Sequence, residues 1–142
     1  MFAAFPLLAL PVLIYNMIVF GTGAGSAQAS DQLHGRVFSI PMASGGIWEV
    51  AIGDLLIAAS LVILFVELLK STTSRKIAII NHALSLVLFV VCLVEFLLLP
   101  GFATSIFFLI TLMVLLDVLA GFIVTIISAR RDIGLMPTDG EA

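Results

Sequence analysis

Charge is what this sequence has least of. Six basic and nine acidic side chains are scattered over 142 residues for a net charge of −3, and no basic cluster is large enough to follow a nucleic-acid backbone. Nucleic acid is therefore not an expected partner. Cysteine is nearly absent as well: Cys92 stands alone inside an apolar run, where no intrachain disulfide can form. The polar residues that do occur make no catalytic pattern, since Ser, His and the acids nowhere take the spacing of a nucleophile and its base. The glycine-rich stretch Gly21-Thr22-Gly23-Ala24-Gly25 is followed by no helix carrying a phosphate-binding lysine, so it reads as a linker. His34 falls in a loop and His82 in an apolar segment, too far apart to share one metal or haem within a single chain. No catalytic, cofactor-binding or metal-ligating residues are expected, and hence no enzyme and no cofactor.

Apolar residues fill the space that charge leaves. They make up 62% of the chain, and the mean hydropathy is +1.30, outside the range of soluble domains. The fold class expected is an all-α integral membrane protein, a single membrane domain of residues 1–142 with four transmembrane helices at about 2–20, 48–69, 77–99 and 105–128. Each is close to the ~20 residues that cross a hydrocarbon core. Pro11 lies where a mid-helix proline would bend the first of them. Ala27-Gln28-Ala29 has the form of a signal-peptide cleavage site, but no Lys or Arg precedes the first apolar run, so a retained helix is expected.

Orientation follows from the few bases. Lys70, Arg75 and Lys76 lie in the turn at 70–76, Arg130 and Arg131 follow the fourth span, and Arg36 alone lies in the long connection at 21–47. By the positive-inside tendency both the N- and C-termini are cytoplasmic, the tail 129–142 is cytoplasmic, and 21–47 is an outer loop. That loop is longer than ordinary connections and contains a strand-like piece, Arg36–Ile40, which suggests that it packs on a surface or a partner. Trp48 is placed as an interfacial aromatic opening the second span, with Ser44 placed to cap it. Without an Arg-rich transit peptide, the cytoplasmic (inner) membrane of a bacterium is the expected location, as a multi-pass protein.

Ionisable residues at membrane depth are costly and therefore informative. At 100° per residue, Asp117, Gly121, Thr125 and Ser128 share one face of the fourth helix, and Asn81, Ser85, Cys92 and Glu95 share one face of the third. Glu49, Gly53, Ser60 and Glu67 do so on the second, with Asp54 pointing away. The economical packing turns these stripes inward. It predicts a candidate intramembrane polar network of Asp54, Asp117, Glu95, Glu67, His82, Asn81 and Ser85, with Asp54 and Asp117 at similar depth and Glu67 paired with His82. Two functions fit. The first is a small non-catalytic accessory or scaffolding subunit of a larger membrane complex, whose partners are the lipid bilayer and other membrane subunits or further copies of itself. The alternative is a proton- or cation-conducting or coupling protein that acts through the intramembrane carboxylates.

Overall fold

A computed structural model of the chain describes residues 5–23, 26–71 and 75–134, with the side chains of 26–28, 71, 75–78 and 128–134 outside the description. Its elements in order are α1 (Ala9–Gly21), α2 (Ser26–Leu33), β1 (Arg36–Pro41), β2 (Ile47–Ala51), α3 (Ile52–Ser71), α4 (Arg75–Leu98), a 3-10 turn (Pro100–Phe102) and α5 (Ser105–Gly134). Three helices are long and apolar enough to cross a membrane, over Ile52–Lys70, Ile79–Leu98 and Ser105–Ile127. Half of the last stretch is buried inside the protein, against 28% and 22% of the other two, so α5 is the central helix and α3 and α4 present most of their surface outward.

The first apolar run forms a shorter helix than the expected 2–20. It has 13 residues, about 20 Å at 1.5 Å per residue. Proline decides its start. The carbonyl of Pro6 accepts the Ala9 N–H and that of Leu7 accepts the Leu10 N–H, so a turn precedes the helix. Pro11 then falls in the first helical turn, where its missing N–H costs nothing, and the kink expected there is not required. Thr22 closes the other end through its hydroxyl, 2.9 Å from the Ile18 carbonyl, and Gly23 follows at φ +85°.

The connection at 21–47 carries a helix and most of a β-hairpin in its described part: the strand-like piece Arg36–Ile40 falls within β1, and Ser26–Leu33 departs from the reading as a loop. Ser26–Leu33 is helical although its composition is that of a linker. Ala29 and Leu33, one turn apart on one face, are fully buried in the apolar core, and this docking overrides weak local preference. Strands β1 and β2 pair antiparallel, Phe38 opposite Val50 and Ile40 opposite Trp48, with a bulge between Arg36 and Phe38. Their turn at Met42–Gly46 is closed by Met42 N–H to the Gly46 carbonyl, 2.8 Å, with Gly45 in the left-handed region at φ +83°.

Trp48 and Glu49 are therefore strand residues. The second long helix starts at Ile52, not at 48, and Ser44 belongs to the hairpin turn. Its start is secured instead by Asp54, whose carboxylate reaches back to the Ala51 N–H at 2.9 Å, half of a capping box. At the other end α5 continues to Gly134, so the basic pair 130–131 is helical rather than part of a tail that begins at 129. The turn residues 72–74 and the tail from 135 lie outside the described residues.

An aromatic cluster fills the core at the hairpin end. Tyr15, Phe102 and Phe107 meet with ring centroids 4.7–5.5 Å apart. The Tyr15 hydroxyl lies 2.6 Å from Thr104 Oγ1 and donates to the Gly101 carbonyl at 3.3 Å, while Thr104 Oγ1 accepts the Phe107 N–H at 3.2 Å. Thr104 thus caps α5 and fastens α1 to it with one hydroxyl.

Candidate functional site

The buried ionisable residues, Glu67, His82 and Asp117, gather away from the hairpin. Glu67 lies one turn before the end of α3 and is fully buried. Its Oε1 accepts from Asn81 Nδ2 on α4 at 2.7 Å. Its Oε2 accepts the N–H groups of Leu7 and, at 3.2 Å, Leu8, two donors that the start of α1 leaves without helical partners. Lys70 stands 3.7 Å from Glu67 and donates to the Phe5 carbonyl at 2.9 Å. One carboxylate therefore joins three helices.

A second cluster lies next to it between α4 and α5. Ser85 donates to Asp117 Oδ2 at 2.5 Å and lies 3.1 Å from the Asn81 carbonyl, one turn back on its own helix. Asp117 and Ser85 are fully buried, and Asn81 nearly so. His82 Nδ1 is 3.7 Å from Asp117 Oδ1, beyond hydrogen-bonding range. Its imidazole rests on Gly121, where a Cβ would fall 2.0 Å from the ring Cγ. Among the described residues, four buried atoms have no hydrogen-bond partner: Asn81 Oδ1, Asp117 Oδ1 and both ring nitrogens of His82.

Five of the seven residues expected to form the network are thus adjacent: Glu67, Asn81, His82, Ser85 and Asp117. Their pairing differs from the expected one. Consecutive residues diverge by 100° around a helix, so Asn81 faces α3 and takes Glu67, while His82 faces α5 and meets Asp117. Glu95 is separate. It lies near the far end of α4 and accepts from Asn16 Nδ2 of α1 at 3.2 Å, with the same amide donating to the Val12 carbonyl. Asp54 is an exposed helix-start residue beside Ile106, at the beginning of α5, and Asp117 lies 11 residues further along, about 16 Å in depth. The expected similar depth assumed a helix already running at Trp48.

Three polar partners escaped the sequence reading: Asn16, Tyr15 and Thr104. A lone tyrosine in an apolar run carries a hydroxyl that needs a partner, and this was the available signal. Chemically, the cluster offers two carboxylates and an imidazole held out of lipid. Ser85 and Glu95 are ten residues apart, about 15 Å, and between them α4 carries only apolar residues and Cys92. Comparison with protein-family models, curated proteins and solved structures gives no match. Fold and site together define a helical membrane protein with a buried polar cluster at one end and a β-hairpin at the other.

Proposed function

We propose that this chain is a small non-catalytic accessory subunit that binds, and stabilises or positions, a larger membrane protein complex. The observation that carries this reading is the hairpin. Phe38, Ile40 and Trp48 occupy one face of it and stay 37–49% exposed, and Ile47 is 70% exposed. Neither strand pairs with a further strand among the described residues. A two-stranded sheet is marginal alone, and its open edges and apolar face are what an added strand from another protein would cover.

In this reading α1 is the fourth span. Its preceding turn meets Lys70 and Glu67 at one end of the bundle, and Tyr15 meets Thr104 toward the other, which supports a crossing despite the short helix. The five bases at 70–76 and 130–131 lie at the ends of α3, α4 and α5 remote from the hairpin, which supports cytoplasmic termini and an outward hairpin in a bacterial inner membrane.

Native mass spectrometry of gently extracted native membranes tests the proposal. A heteromeric assembly of fixed stoichiometry is expected for the parent, and Phe38→Glu with Trp48→Glu should reduce it at least tenfold without lowering the amount of this chain. A parent that stays alone in mild detergent, or an assembly indifferent to both substitutions, would remove it.

The alternative of proton or cation conduction draws on the unpartnered atoms of Asp117 and His82. The apolar interval between Ser85 and Glu95 weighs against it. Vesicles containing the purified parent should show no pH-dependent ion flux above that of empty vesicles. Flux that Asp117→Asn abolished would instead favour conduction.

A further inference from the structure

A second polar site lies where α3 and α5 begin. A cavity of about 310 Å³ is rimmed by His34, Arg36, Glu49 and Asp54, with Gly53 and Ile106 among the residues beneath them. This is at the small end of ligand pockets, roughly 300–1,000 Å³. We propose that it binds a zwitterionic group carrying a phosphate and a primary amine, the chemistry of a phosphoethanolamine lipid headgroup.

Depth is the first argument. Gly53 and Asp54 are the second and third residues of the apolar stretch Ile52–Lys70, and Ile106 is the second of Ser105–Ile127. The cavity therefore sits where two membrane-length segments start, at the level of headgroups rather than of acyl chains or bulk water.

Charge is the second. Arg36 opposes Glu49 and Asp54, so the rim is −1 with histidine neutral, which disfavours a purely anionic head and favours one that brings an ammonium. Arg36 uses one nitrogen on Glu49, at 2.8 Å, and retains other N–H donors for phosphate oxygens. Glu49 and Asp54 each engage a single carboxylate oxygen in the contacts seen, Asp54 with the Ala51 N–H, and offer the other to an ammonium. His34 Nδ1 contacts the Ser30 carbonyl at 2.8 Å and carries a proton there, which leaves the Nε2 side of the ring for a ligand.

The floor supplies the third. A Cβ on Gly53 would fall 2.2 Å from Ile106 Cδ1 and 3.2 Å from the Leu33 carbonyl, so α2, α3 and α5 close tightly beneath the charged rim. A compact head is accommodated above them, and its diacylglycerol would continue along the outward faces of the helices.

The test is native mass spectrometry of the full chain in a neutral detergent, with phosphatidylethanolamine, phosphatidylcholine and phosphatidylglycerol added separately. Phosphatidylethanolamine should bind at least tenfold more tightly than either. Arg36→Gln should weaken it at least tenfold, and Glu49→Gln should remove the preference over phosphatidylglycerol; both residues are more than half exposed, so the fold should tolerate these changes. Asp54→Asn keeps an oxygen for the Ala51 N–H and gives a second test of the ammonium side. Competition by excess free phosphoethanolamine would identify a soluble zwitterion as the ligand, and its absence beside selective lipid binding would identify the lipid. Equal binding of the three lipids, or phosphatidylethanolamine binding unchanged by Arg36→Gln, would overturn the proposal.

Discussion

Glu67→Leu is expected to release α1 from the bundle while α3, α4 and α5 stay assembled. The substitution removes the acceptor for Asn81 Nδ2 and for the N–H groups of Leu7 and Leu8 at a site closed to water. Each donor left unpaired costs about 1–3 kcal/mol. Leucine returns some apolar contact, so the net loss should be about 3–5 kcal/mol, a large part of an ordinary domain's stability. Glu67→Gln retains a carbonyl oxygen for one of the backbone donors, and the Asn81 amide can turn its orphaned Oδ1 toward the new NH₂ group. Its cost should be nearer 1 kcal/mol. Hydrogen exchange read by mass spectrometry distinguishes local release from general loosening. In Glu67→Leu the amides of residues 5–12 should exchange at least tenfold faster, with those of α5 unchanged. Protection of that segment equal to the parent's would mean that the Tyr15–Thr104 and Asn16–Glu95 contacts suffice to hold α1.

The small and polar stripes on α4 and α5 were legible because helical geometry fixes which residues share a face whatever the rest of the chain does. Ser85 and Asp117 needed only to be on inward faces to meet. Partner choice was not legible, because it depends on rotation and on which neighbour each face meets. Asn81 and His82 are adjacent in sequence yet serve different helices, and assigning His82 to Glu67 required knowing that α3 lies on the side of Asn81. Asp54 went astray for another reason. The run from Trp48 is apolar enough to extend a helix backward, and only the pairing of β2 with β1 makes its first residues a strand, a long-range contact that no local window contains. Helix α2 was hidden similarly, since a helix of eight residues is too short to hold on its own and needs a core in which Ala29 and Leu33 can be buried. The three long helices were plain because twenty apolar residues in a row have few other uses.

Gly121 should be a strongly sequence-restricted position on α5, and substituting it should reverse the usual preference of a helix for alanine. In an unconstrained helix interior, glycine to alanine stabilises by about 1 kcal/mol. Here the new methyl would lie 2.0 Å from His82 Cγ and 2.4 Å from both Cδ2 and Nδ1. The obstructing atoms are the root and two flanking members of a buried ring, which has two side-chain torsions with which to escape. If the ring turns away, it leaves the neighbourhood of Asp117; if it stays, α4 and α5 must separate and stretch the Ser85–Asp117 hydrogen bond. Either response should cost about 1–3 kcal/mol for Gly121→Ala, after the gain in helix propensity, and more for Gly121→Val, whose branched side chain is also stiff at χ1. A double-mutant cycle with His82→Ala isolates the cause, because removal of the ring vacates the space that the methyl needs. In that background Gly121→Ala should be neutral or stabilising by up to about 1 kcal/mol, so that the coupling between the two positions is about 1–4 kcal/mol. Additive effects would show that the close approach of the imidazole to the α5 backbone is not what holds these two helices in register. Coupling of the expected sign would make Gly121 the reason that His82 and Asp117 face one another at all, since any larger residue there would place a side chain where the imidazole now lies.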